Sequence, residues 1–192
     1  MKSHNMNKFT FYYFIFILNI LNSCSFISKT QKNIDPERDT INITEFDLCQ
    51  KDMDFSSVNT IQYNEFNFLS KFVNPLRISK DYWEVLDDST NLYVYNGAEV
   101  NFYKDKIESL ELNNANYKFI LANGISIKVG DNISVVRKLF PKSWDWMKFQ
   151  TLDNFVFIDL IGPKGPIDAI LSFEFDNKTK MIKSIQYAVN NS

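Results

Sequence analysis

The chain matches itself across two stretches about seventy residues apart, and this constrains its fold more than any other feature. Ala98-Glu-Val-Asn-Phe102-Tyr-Lys-Asp105 aligns without a gap on Ala169-Ile-Leu-Ser-Phe173-Glu-Phe-Asp176. The continuation agrees too: Ile107-Glu-Ser109-Leu110-Glu-Leu112 answers Ile182-Lys-Ser184-Ile185-Gln-Tyr187, with four extra residues in the second turn. Apolar residues at alternate positions on either side of a polar break predict two hairpins, Val100 to Tyr103 with Ile107 to Leu112, and Ile170 to Phe175 with Ile182 to Ala188. Upstream, Asn64 to Pro75 parallels Asp131 to Pro141, each opening on a helix-capping type of residue and closing on proline. In the first, Phe66, Leu69 and Phe72 or Val73 share a stripe. Ile133, Val136 and Phe140 share one in the second, so each segment predicts a short amphipathic helix. Asn91 to Tyr95 and Asn154 to Ile158 add a further strand to each half.

One such unit has too few residues to bury a core, whereas two units of about 60 residues reach ordinary single-domain size. The expected fold is α+β, with an antiparallel sheet, two short helices on one face and the other face open to solvent or a partner. The expected half-repeats run over about 61–113 and 117–189, within a globular region of 61–192. Asn96-Gly97, Asn123-Gly124, Val129-Gly130-Asp131 and Gly162-Pro-Lys-Gly-Pro166 supply turn formers between the apolar runs.

The N-terminus has a different texture. Lys2 and Lys8 precede thirteen largely apolar residues, Phe9 to Leu21. A charged head followed by an apolar run shorter than the ~20 residues that span a bilayer predicts a secretory signal. Leu21-Asn22-Ser23-Cys24 resembles the bacterial lipobox. That resemblance implies cleavage after residue 23 and acylation of Cys24, with 1–23 a lipoprotein signal peptide. Two plainer readings stay open: an ordinary cleaved signal with Cys24 an incidental thiol, and a retained anchor helix. Ser25 follows the cysteine in place of an aspartate retention signal, so the expected location is the outer membrane, lipid-anchored and facing the periplasm. Residues 24–60 are expected to form the lipidated Cys and a polar tether. Within it, Ile41, Ile43, Phe46 and Leu48 stand at near-alternate positions, spaced to add an edge strand.

Cleavage would remove Lys2, His4 and Lys8, leaving 19 basic against 23 acidic residues and a formal charge of −4. Phosphate binding needs concentrated Lys and Arg, which are absent, so nucleic acid is not an expected partner. The mature chain would also lack histidine, the commonest general base and metal ligand. Cys49 would be alone, a small buried side chain or unpaired thiol without a histidine to activate it.

The phrase Asn123-Gly124-Ile125 to Val129-Gly130-Asp131, a short helix over Ser134 to Phe140, and strands ending in the Ile182-x-Ser184-Ile185 hairpin resemble the small periplasmic lipoproteins of the β-barrel-assembly E-subunit type. The pattern, over roughly 61–189, is also similar to β-lactamase-inhibitor-like domains, which hold two such units in tandem. The resemblance implies a scaffold or binding protein without catalytic residues.

Sharper candidates compete with plainer explanations. Trp83, Trp144 and Trp146, with Tyr82, Tyr93, Tyr95 and Tyr103, would suit an aromatic platform for a glycan or protein, but core packing accounts for such residues as well. Asp87-Asp88, and Asp81 with Glu84, invite a cation site or an acid pair. They lack the alternating ligands and glycine of a calcium loop and read better as a solvated turn. Gly162 to Pro166 lacks the spacing and the Lys-Ser or Lys-Thr ending of a phosphate loop. No catalytic, cofactor-binding or metal-binding residue is therefore expected; Cys24 is the single site residue, for lipidation. The leading expectation is a non-enzymatic binding or scaffold lipoprotein that uses the membrane and an envelope protein as partners, with its oligomeric state open. The alternative is a periplasmic immunity or inhibitor protein. A carboxylate-and-tyrosine hydrolase comes third, disfavoured by the missing histidine. A concentrated acidic patch would mark the inhibitor, an apolar patch the scaffold, and a deep pocket with convergent polar groups the enzyme.

Overall fold

Alternating apolar residues become strands that bury one face each. The computed structural model describes residues 37–50, 62, 64–84, 87–150 and 153–189. Its elements are β1 (Thr40–Asn42), β2 (Phe46–Gln50), α1 (Glu65–Lys71), β3 (Arg77–Trp83), β4 (Asp88–Tyr95), β5 (Ala98–Tyr103), β6 (Lys106–Leu112), β7 (Tyr117–Leu121), β8 (Ser126–Lys128), α2 (Ser134–Leu139), α3 (Pro141–Met147), β9 (Phe155–Gly162), β10 (Gly165–Phe175) and β11 (Ile182–Val189). Eight strands form one sheet in the order β1-β9-β10-β11-β6-β5-β4-β3, and β2-β7-β8 form a second. The architecture is α+β. All neighbours in the large sheet run antiparallel except β1, which lies parallel to β9. Cys24 and the leader lie outside the described residues.

The sequence repeat has a geometric counterpart. At the centre of the large sheet Ile185 faces Leu112, Gln186 faces Glu111 and Tyr187 faces Leu110. In the repeat alignment Leu110, Glu111 and Leu112 correspond to Ile185, Gln186 and Tyr187, so the first and third pairings exchange under a half-turn about the Glu111/Gln186 pair. The relation extends to the three-stranded units, β4-β5-β6 answering β9-β10-β11, and stops at the outermost strands, since β3 lies antiparallel to β4 and β1 parallel to β9. Each helix start is also tied to the hairpin turn of its own half. Glu65 N–H donates to Asp105 Oδ1 at 3.0 Å, and Ile133 N–H to the Lys180 carbonyl at 2.8 Å. The four extra residues of the second turn are organised by Asp176, whose Oδ1 accepts from the Lys178 and Thr179 amides at 2.9 and 2.7 Å. Those bonds favour the charged form and lower the Asp176 pKa.

The helices differ in how they begin. Asn64 caps α1, accepting from Asn67 N–H at 2.8 Å. Glu65 then accepts from the Tyr93 hydroxyl and from Asn91 Nδ2 at 3.0 Å, fastening α1 to β4. The N-cap of α2 is Ile133, without a side-chain cap; Asn132 instead accepts from Ser134 N–H at 2.9 Å. Pro141 does not end the helical region, as the sequence reading expected. It opens α3, where its missing N–H and fixed φ fit the first turn.

The core lies between one face of the large sheet and a layer of helices and small sheet. Val100, Phe102, Leu112, Val156, Ile158, Leu171, Phe173 and Ile185 are buried on that face. Phe68 of α1 meets Phe102 with ring centroids 5.4 Å apart, Phe140 meets Phe173 at 6.3 Å, and Trp144 of α3 stacks on Phe175 at 5.7 Å. The small sheet reaches the same face through Phe119, 6.2 Å from Phe173. The tether expected over 24–60 is shorter at its C-terminal end, because buried Ile41, Ile43 and Phe46 draw β1 into one sheet and β2 into the other. Just before β1, Asp39 and Ser143 bond each other twice, with Asp39 N–H and Ser143 N–H each donating to the other's side-chain oxygen at 2.8 Å. Cys49 stands in β2 opposite Lys118.

Among the described residues four tyrosines are buried: Tyr93, Tyr95, Tyr117 and Tyr187. Burial raises all four pKa values, Tyr93 and Tyr187 to about 12 and Tyr95 further; Glu65 beside Tyr93 and Glu108 beside Tyr187 add to the shift. Unfolded tyrosines ionise near ~10. Above that pH the unfolded chain holds fewer protons than the folded one. The stability these groups contribute is therefore full below about pH 10 and is lost as pH climbs through the folded values. We expect the melting temperature to fall steeply above pH 10, with tyrosinate absorbance rising in step with loss of secondary structure. Titration of all the tyrosines without unfolding would contradict this burial.

Candidate functional site

The two faces of the large sheet are chemically unlike. Opposite the core, successive strands present Thr90 and Leu92 on β4, Glu99 and Asn101 on β5, Ser109 and Glu111 on β6, Ser184 and Gln186 on β11, and Ser172 and Glu174 on β10. These are the alternate positions that the inward apolar set leaves outward. They form hydrogen-bonded runs across the strands. Thr90 Oγ1 reaches Asn101 Oδ1 at 3.4 Å, and Asn101 Nδ2 donates to Ser109 Oγ at 3.0 Å. Gln186 Nε2 donates to Glu111 Oε1 at 3.4 Å and Ser184 Oγ at 3.2 Å, and Ser184 Oγ to Glu174 Oε2 at 3.2 Å. Lys183 pairs with Glu174 at 2.9 Å.

At the middle of this face Glu99 and Glu111 stand directly opposite each other. Like charges so placed repel, at a cost on the order of 0.2–1 kcal/mol. Among the described residues no cation pairs with either. Together with Asn101, Ser109, Gln186 and Ala188 they border a hollow of about 150 Å³. Toward β9, Phe155 and Phe157 stack at 5.8 Å, and Trp146 comes round the sheet edge to meet Phe157 at 6.1 Å. Arg38 lies over the Trp146 ring at 4.8 Å and holds Asp159 through two contacts of 2.6 and 3.0 Å.

A larger cavity of about 600 Å³ opens at the end of the sheet beside the β5–β6 turn, bordered by Asn64, Tyr103, Lys104, Ile107, Glu108 and Tyr187 among others. Glu108 is buried there, and burial raises its carboxyl pKa. Lys104 sits 4.6 Å over the Tyr103 ring. The sequence reading missed Glu108, which shares the inward side of β6 with Leu110 and Leu112 and is the extra residue of a bulge that turns Ile107 inward as well. The register shift between Asn101 and Phe102 accompanies this turn inward.

The aromatic platform does not assemble. Tyr93 and Tyr95 are core, Trp144 packs on Phe175, and Tyr82 lies on β3, seven strands away from β1 in the order that places Trp146 beside β9 at the other end. The Trp83 side chain lies outside the described residues. Of the acidic candidates expected in a turn, Asp87 lies in the β3–β4 turn and accepts from the Tyr82 hydroxyl, whereas Asp88 opens β4 and accepts from Ser89 N–H at 2.7 Å, and Asp81 stands within β3. No group of three or more His, Cys, Asp or Glu residues among the described residues is arranged to hold a metal ion. Gly162 to Pro166 forms the β9–β10 hairpin, in which Gly162 faces Gly165 and Gly165 takes φ 117°.

No family model matches the chain, and no curated protein matches its sequence. Among solved structures, an extracellular protein containing an SCP domain from Bacillus anthracis str. Ames is similar over 74% of this chain and 50% of its own, at 15% identity and a TM-score of 0.43. No helix among the described residues is long and apolar enough to cross a membrane.

Proposed function

We propose that this chain is a non-enzymatic binding lipoprotein of the bacterial envelope. It would be held in the outer membrane through acylated Cys24 and would engage a protein partner with the polar face of its large sheet. The observation that supports this reading most is the Glu99/Glu111 pair, two opposed, half-buried carboxylates at the middle of the polar face of the large sheet. A lysine or arginine from a partner would relieve their repulsion and gain two charge-assisted hydrogen bonds. The signal-like leader and Leu21-to-Cys24 sequence support the anchor.

The same pair favours a second reading, a periplasmic immunity or inhibitor protein that neutralises a basic toxin or enzyme. Pull-down from crosslinked envelopes, comparing the parent with Glu99→Lys plus Glu111→Lys, tests both. Loss of one abundant partner in the variant is expected; a resident envelope protein selects the scaffold reading, and a toxin or hydrolytic enzyme selects the inhibitor. Undiminished capture by the variant would remove the face from the binding site.

A further inference from the structure

The large sheet ends at β3, and that edge is built to meet itself. Among the described residues β3 pairs only with β4. The two-residue turn Asn96-Gly97 makes Tyr95 and Ala98 a closing hydrogen-bonded pair, so Tyr93 and Tyr95 direct their backbone groups to β5. Leu92 and Val94 therefore face β3, where Val94 carbonyl also accepts from Leu76 N–H at 2.7 Å. By the same alternation, Arg77, Ser79 and Asp81 use their backbone groups on β4. Those of Ile78, Lys80 and Tyr82 point off the free edge.

Natural edges are protected by short strands, prolines, bulges or charged side chains, and of these β3 has only its charges, Arg77, Lys80 and Asp81. β3 is seven residues long, with neither a proline nor a register shift against β4. Ile78 and Tyr82 along it, and Leu76 just before it, are 62%, 61% and 72% exposed. Arg77 and Asp81 make no ion pair among the described residues. The Ser79 hydroxyl oxygen, between them on the same face, is covered yet has no hydrogen-bond partner.

We propose that β3 pairs antiparallel with β3 of a second copy, about a two-fold axis through Ser79, joining two large sheets into one. In this register Ile78 and Lys80 exchange backbone hydrogen bonds on both sides of the axis. Arg77 meets Asp81 of the second copy on both sides of the axis, in non-hydrogen-bonded positions where side chains approach most closely. The two Ser79 residues stand opposite each other on the axis as a non-hydrogen-bonded pair. A shift that put Lys80 on the axis would oppose two ammonium groups, so charge selects the Ser79 register. The pairing is isologous, as a two-fold dimer requires.

Ser79→Cys in the full chain, oxidised in intact envelopes, tests this. Cys49→Ala in every strain removes the native thiol. A non-hydrogen-bonded antiparallel pair sets the Cα atoms within disulfide reach, so a covalent dimer is expected from Ser79→Cys and none from Asn101→Cys on β5. Arg77→Asp opposes carboxylates on both sides of the axis and should lower the crosslinked fraction about tenfold. Arg77→Asp with Asp81→Arg restores complementarity and should restore the dimer, a recovery that a merely misfolded variant would not give. Monomer from Ser79→Cys, equal crosslinking from Asn101→Cys, a disulfide to a different protein, or no rescue by the charge exchange would each overturn the proposal.

Discussion

Phe173→Ala should lower the unfolding free energy by about 3–5 kcal/mol, the range for removing a fully buried phenylalanine, a large part of the ~5–15 kcal/mol that holds a typical domain together. The expectation rests on position. Phe173 is completely buried, sits on β10 in the middle of one half, and touches both Phe119 of the small sheet and Phe140 at the α2–α3 junction. Its removal opens a cavity where three layers meet, and none of them can collapse without disturbing the others. The repeat supplies an internal control. Phe102 occupies the corresponding place and packs on Phe68 and Tyr93, so Phe102→Ala should cost a similar amount. Urea titration followed by circular dichroism measures both; a loss below ~1 kcal/mol for either would mean that the half concerned is not packed as described.

Cys24→Ala should abolish membrane retention. Each buried methylene contributes about 0.8 kcal/mol, and a single acyl chain gives only reversible binding, whereas two or more hold a protein stably. The described fold offers no spanning helix as a substitute. The parent protein should sediment with envelopes and the variant should remain in the supernatant, and mass spectrometry of the parent's N-terminal peptide should show the added acyl mass. A parent peptide beginning at another residue, or carrying an unmodified thiol, would replace the lipobox reading with one of its two plainer alternatives.

The elements legible in the sequence were those with one buried face. β5, β6, β10 and β11 alternate, apart from one register shift in each hairpin, because apolar residues line the core and polar ones the opposite face. Both hairpins were placed within a few residues for that reason. β3 escaped notice because an edge strand buries little on either side; Ile78, Lys80 and Tyr82 share a face without sharing a polarity. β8 is three residues long and carries a single buried side chain, Ile127, too short a run for a period to register. The start of α3 was read as an end because proline terminates one helix as readily as it opens the next. Of the candidate site, the availability of a face followed from the alternation. The opposition of Glu99 and Glu111 did not, since it depends on the hairpin register, which the turn between Tyr103 and Lys106 fixes and which residue spacing alone does not reveal.

The half-turn relation at the centre of the sheet also bears on how the chain reaches its fold. Each three-stranded half closes through short connections, two residues each at Asn96-Gly97 and Lys104-Asp105 in the first, two at Pro163-Lys164 and six over 176–181 in the second, so its contacts are local and cheap in loop entropy. The β6–β11 seam between halves instead joins residues 73 to 79 positions apart. Contacts of that separation slow folding, because the chain loses conformational freedom before they form. The two meanders are expected to order first and their docking along Glu111 and Gln186 to limit the rate. Substitutions at the seam would then retard folding more than they hasten unfolding, while the free β3 strand waits exposed at the far edge of a half that is already formed.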